Sequence, residues 1–142
     1  MQNQLQERIN QIKKELQVDF VALALSTVNE QTKIREIRWQ YVCGQTNQNY
    51  KRIRLQVGKG VGGIVWRTGR GFGATNLQKQ PERLVELPIT RMEQLETVRA
   101  HPVLEKGEVK GVLLIGFRTV TEISEIFLIE LEKKASELVG YL

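Results

Sequence analysis

The hydrophobic pattern changes period along the chain. Leu5, Ile9, Ile12 and Leu16 recur at alternating spacings of four and three, which predicts an amphipathic helix from about Gln2 to Leu16 with a narrow apolar stripe. Phe20 to Leu25 is apolar on both alternating faces and reads as a central strand covered on both sides. Ile34 to Val42 alternates instead, with Ile37, Trp39 and Tyr41 on one face and Arg38 and Gln40 on the other. Tyr50 to Val57 repeats that pattern, placing Ile53, Leu55 and Val57 opposite Arg52 and Arg54. The short polar connections between these runs predict antiparallel pairing.

The stretch from Gly58 to Arg70 carries Gly58, Gly60, Gly62, Gly63 and Gly69, with Val61, Ile64 and Val65 at helical spacing. It reads as a glycine turn, a short helix and a glycine stop. A helix start of this kind offers unpaired N–H groups to an anion or a carbonyl. It is not a phosphate loop, because Ile64 and Val65 stand where Lys and Ser/Thr would be needed.

Gly71 to Pro88 has loop composition with a short strand at Phe72 to Thr75, and Thr90 to Thr97 reads as a short helix. Arg99 to Leu104 is a strand interrupted by Pro102, which suggests an edge or a bulge. Val109 to Phe117 is a second fully apolar, central strand. Thr119 to Glu122 has capping-box form and opens a helix running to about Val139. Ile123, Phe127, Leu131, Ala135, Leu138 and Leu142 form its apolar face, widened by Ile126 and Ile129. The two terminal helices are expected side by side over one face of the sheet.

Length and charge add limits. A chain of 142 residues fits one domain spanning 1–142 with a real core. No apolar run is long enough for a membrane span, and the polar start, Met1 to Glu15, is no secretory signal. Cys43 is the one cysteine, so no internal disulfide or cysteine-built metal site is expected, and the cytosol follows as the expected compartment. The net charge of +5 is spread and mixed with acids, densest at Lys51, Arg52, Arg54, Lys59, Arg67 and Arg70. It pairs with no DNA-reading helix pair and no aromatic ladder, so a solvated basic face or an acidic partner fits better than nucleic acid.

The order of elements, with Gly-Val-Gly-Gly-Ile-Val-x-x-Thr-Gly-Arg at 60–70 and Pro102-Val103 before Gly107-Glu108-Val109-Lys110-Gly111-Val112-Leu113, resembles a GAF domain over essentially the whole chain. The resemblance implies an α+β fold, a central antiparallel sheet with helices on both faces and the N- and C-terminal helices packed together on one. It also implies a ligand pocket between the sheet and the connections on one side. Trp39, Tyr41 and Leu55 would be its floor, Val61, Gly62 and Ile64 one wall, and Leu87, Pro88 and Ile89 the closing segment. Ile37 to Val42, Asn47 to Ile53 and Gly58 to Gly63 further resemble the stand-alone nitrate-receptor GAF proteins, which work with an oxygen-sensing histidine kinase in Gram-positive bacteria.

The chemistry of the implied lining suits a small anion. Bulky rings leave a small cavity, no acid stands in the lining segments, and the helix start at Val61 to Gly63 supplies N–H donors with a favourable dipole. Trp39 adds an indole N–H; Trp66 fits either the lining or the plain core. Nitrate matches such a half-apolar pocket, and nitrite, chlorate or a small carboxylate suit the same donors. No cofactor and no metal are expected beyond that ligand.

Enzymatic readings are less well supplied. Methionine sulfoxide reduction of the GAF type needs several cysteines, and Cys43 has no partner. His101 is the one histidine, and no motif builds a triad around it. The expectation is a non-enzymatic sensor of a small anion, most simply nitrate, that signals to a sensor histidine kinase. The contact would run through the Gly71 to Ile89 segment or the basic face with Arg52 and Arg54. The alternatives are a ligand-free interaction or dimerisation module using the terminal helices, and a reductase-type GAF enzyme.

Overall fold

The computed structural model describes residues 2–142. Their strands are β1 (Phe20–Val28), β2 (Arg35–Cys43), β3 (Phe72–Ala74), β4 (Thr97–Glu105) and β5 (Glu108–Phe117). They form one antiparallel sheet in the order β2-β1-β5-β4-β3. The two runs that are apolar on both faces, β1 and β5, pair with each other in the interior of the sheet, as double-sided burial requires. Pro102 lies in the part of β4 beyond the reach of β3, which pairs only with Val98 to Ala100, and a register shift follows at Val103/Leu104.

Helices cover both faces. The terminal helices α1 (Gln2–Leu16) and α5 (Glu125–Leu138) share one layer, where Leu5, Ile9 and Ile12 meet Leu131, Ala135 and Leu138 over Val21, Leu23, Leu113 and Ile115. Arg8 pairs with Glu137 and Lys134 with Glu15, each at 3.0 Å, and so they tie the two helices together. The opposite layer is made by α2 (Gly60–Thr68), α3 (Pro81–Glu86) and α4 (Pro88–Met92), which enclose Phe20, Ala22, Ala24, Ile37, Trp39, Val98, Val112 and Leu114.

Several elements depart from the sequence reading. Tyr50 to Val57 is not a strand: Asn49–Arg52 forms a 3₁₀ turn, and only Leu55 joins β2, exchanging both main-chain hydrogen bonds with Ile37 at 2.8 and 3.0 Å. The Gly71 to Pro88 segment holds α3 besides β3, and the short helix expected at Thr90 to Thr97 is α4, which ends at Met92. α5 starts at Glu125, with the Ser124 hydroxyl accepting from the Phe127 amide at 3.1 Å, so the Thr119 to Glu122 box does not cap it. Ile126 and Ile129 do not widen the buried face; they are 76% and 63% exposed.

Candidate functional site

The site is built where β2 meets α2. Gly60 enters the helix with φ 65°, a left-handed conformation in which a side chain would be strained. The first amide of the helix to find an intrahelical acceptor is that of Gly63, which donates to Lys59 O at 3.0 Å. The N–H groups of Val61 and Gly62 precede it, and among the described residues no side chain caps this end. Gly63 is fixed by close approach: a Cβ there would stand 2.3 Å from Gln56 O.

Gly62 sits directly over the sheet. A Cβ on it would lie 3.2 Å from Leu55 Cδ1, 3.3 Å from Ile37 Cγ2 and 3.4 Å from Trp39 Cζ2. The absent side chain is what lets the first turn of α2 rest on the indole. Trp39 is 3% exposed, and its Nε1 finds no hydrogen-bond acceptor among the described residues. A buried N–H with no acceptor is uncommon and calls for an explanation.

Leu55, Val61, Leu87 and Ile89 are all buried in the same cluster as Trp39, and Ile64 packs against it half-buried. Pro88 is half-buried at the first position of α4, outside that cluster. Tyr41 is not brought to this site. The pairing of β1 with β2 slips between Leu23 and Ala24, so that Tyr41 lies opposite Leu23, Trp39 opposite Ala24, and Gln40 is the extra residue of a bulge. Beyond the bulge the faces exchange: Val42 joins the Trp39 layer, while Tyr41 and Cys43 pack against the terminal-helix layer. Tyr50, from the 3₁₀ turn, packs against the Trp39 cluster instead. Trp66 also packs there, half-buried.

A polar network behind α4 holds the closing segment. Glu93 is 1% exposed, and its Oε1 accepts from Arg118 Nη2 at 2.6 Å, Thr46 N at 2.9 Å and Thr46 Oγ1 at 3.0 Å. Arg118 also donates to Glu93 O and Gly44 O, each at 3.0 Å. The end of β5, the loop after β2 and the end of α4 are thereby one unit. Glu93, Arg118 and Thr46 lie far apart in sequence, and no local pattern marks them as partners. The Thr90 hydroxyl, also buried, donates to Leu87 O at 2.7 Å and stiffens the turn that carries Leu87 and Ile89.

Among the described residues no helix is long and apolar enough to cross a membrane. No protein-family model and no curated protein matches the chain. Solved structures do. The chain is similar to a Staphylococcus aureus NreA protein mutated in its nitrate-binding site, with 34% identity over 87% of this chain and 92% of that one and a TM-score of 0.79. It shares its fold with the GAF domain of an Acinetobacter phosphoenolpyruvate-protein phosphotransferase, at 23% identity over 96% of this chain and 82% of that one, TM-score 0.70. It also shares its fold with a free methionine-R-sulfoxide reductase of Thermoplasma acidophilum, at 14% identity over 97% and 89%, TM-score 0.73. The chain belongs to the GAF domain family, and over the aligned 87% of its length it is 34% identical to the NreA protein.

Proposed function

We propose that this protein is a non-enzymatic sensor that binds a small anion, nitrate, between β2 and α2 and passes its ligand state to a sensor histidine kinase. The observation that carries the reading is the buried Trp39 indole N–H, without an acceptor among the described residues and set beside the uncapped first turn of α2. An anion there gains a side-chain donor, main-chain donors and the positive end of a helix dipole. The surrounding side chains, Leu55, Val61, Leu87 and Ile89, are apolar. That suits a weakly basic, singly charged ion better than phosphate or sulfate, whose hydration is harder to replace. The 34% identity to a protein described as having a nitrate-binding site supports the same ligand.

Ligand state reaches the surface through the 71–89 segment, whose end carries Leu87 and Ile89 into the cluster and whose α3 faces outward with Val85 exposed. The test is thermal. Nitrate at 100 times its dissociation constant stabilises the folded state by about 2.7 kcal/mol and raises the melting temperature by roughly 5–10 °C. Chloride and sulfate leave it unchanged. No nitrate-specific shift rejects the reading.

A second reading, an interaction module with no ligand, is favoured by Ile126 and Ile129, which stand exposed on the outer side of α5. It predicts self-association that nitrate does not alter. The reductase reading has only the fold behind it, and Cys43 is the one thiol available.

A further inference from the structure

An open cleft of about 390 Å³ adjoins the site at the outer edge of β2, lined by Thr27, Arg38, Trp39, Gln40, Tyr50 and Lys51. Two of its six lining residues, Trp39 and Tyr50, also belong to or pack against the buried cluster under α2. The cleft and the cluster therefore share Trp39 and Tyr50. The lining holds two cations and no carboxylate. Arg38 makes its hydrogen bond to the main-chain oxygen of Lys51, and the Lys51 ammonium lies 6.0 Å from the centre of the Tyr50 ring. Neither charge has a carboxylate partner among the described residues, so both act on whatever lies in the cleft. The nearest ion pair on this edge, Arg54 with Glu36 at 3.4 Å, sits outside the lining.

We propose that this cleft is the way in for the anion, with Arg38 and Lys51 as steering charges and Tyr50 as the side chain that moves aside. The proposal rests on the reading of the Trp39 site as an anion site. Cations at the mouth of a cleft raise the local concentration of anions and hence the association rate, an effect that salt removes. The bound ion is held elsewhere, by Trp39 and the first turn of α2. Lys51 and Arg38 therefore govern arrival far more than departure. Arg38 has a second role, since its bond to the Lys51 carbonyl ties the 3₁₀ turn carrying Tyr50 to β2.

Lys51 is exposed and uses only its main chain in that bond, so replacing its side chain changes charge without cutting the tie. In stopped-flow binding of nitrate at low salt, the association rate should fall in the order Lys51, Lys51→Gln, Lys51→Glu, by about threefold per step, with the dissociation rate unchanged. The three rates should converge as ionic strength rises. Equal association rates at low salt, or a change confined to dissociation, would overturn the proposal.

A second arm needs no cognate ligand. In a Trp66→Phe background Trp39 is the one emitting tryptophan, because the chain has two. Iodide should quench it less in Lys51→Glu than with Lys51 present, while neutral acrylamide quenches both alike. Identical iodide quenching in the two rejects the route even if nitrate binds. Charge-dependent iodide quenching without nitrate binding would keep the route and reject nitrate as the ligand.

Discussion

Gly62 and Trp39 are held face to face: a Cβ added to Gly62 would stand 3.4 Å from Cζ2 of the indole, while also pressing on Leu55 and Ile37 at 3.2 and 3.3 Å. This contact joins the glycine-rich helix start to the one buried indole donor on β2. On the proposed function this gives the glycine at position 62 a role in binding as well as in packing.

Gly62→Ala separates the two. The added methyl gains about 1 kcal/mol of helix propensity and loses a similar amount to three tight contacts, so stability should change by less than about 1 kcal/mol. Anion affinity should fall at least about tenfold, because the first turn of α2 must lift from Trp39. Urea unfolding read beside nitrate titration checks both. Loss of stability with unchanged affinity would confine Gly62 to packing. Gly63→Ala is the contrast: its Cβ would meet Gln56 O at 2.3 Å, so it should destabilise the turn itself by about 1–3 kcal/mol.

The Glu93–Arg118 pair makes a second prediction. Arg118 is partly solvent-reached while Glu93 is fully enclosed, so Arg118→Met leaves a carboxylate buried without its counter-ion. The expected cost is about 3 kcal/mol. Glu93→Gln in the same background should recover most of it, since the amide oxygen still accepts from Thr46 and no charge is left unpaired. Equal melting temperatures for the Arg118→Met and double variants would contradict this account.

Glu15 gives a pH prediction. Its hydrogen bond with Lys134, helped by Arg8, holds its carboxyl below the ordinary value of 4.5. A depressed folded pKa means that the contribution is present above 4.5 and is lost as pH falls through the folded value. Glu15 is nearly half exposed, so Glu15→Gln should cost under about 1 kcal/mol at neutral pH. That difference should vanish in acid. Thermal melts across the acid range check it, and a difference that grows in acid would reverse the sign.

Much of this architecture was legible because burial writes a period into the chain. β1 and β5 are apolar on both faces since both faces are covered, and α1 carries one stripe since it meets one layer. The glycine-rich stretch gave away the α2 start for a similar reason: close approach to Gln56 O leaves no room for a Cβ at position 63, and one at position 62 would press on Leu55, Ile37 and Trp39. Tyr41 was misassigned because a bulge at Gln40 inverts the alternation, and nothing in Trp39-Gln40-Tyr41 announces a bulge. Leu55 was placed with Trp39 correctly, although the strand expected around it is a single bridge. Glu93, Thr46 and Arg118 were missed because a long-range buried pair has no local signature. The Leu87 to Ile89 segment came only from family resemblance, and the structure places Leu87 and Ile89 in the Trp39 cluster.

Trp39→Phe removes the donor together with the part of the indole that meets Gly62. It keeps an aromatic ring and removes the N–H that has no acceptor among the described residues, so the free protein should be no less stable by more than about 1 kcal/mol. Nitrate-dependent stabilisation should be lost. A folded variant that melts as before and still gains stability from nitrate would take the indole N–H out of the site.

In the proposed function a small anion binds between Trp39 and the start of α2. The most direct measurement is calorimetric titration of the purified protein with nitrate, beside chloride and sulfate and repeated on Trp39→Phe. Saturable binding with one site per chain, weak competition by the controls and no heat from the variant is the predicted result. Absence of saturable nitrate heat, or equal binding by the variant, would contradict it.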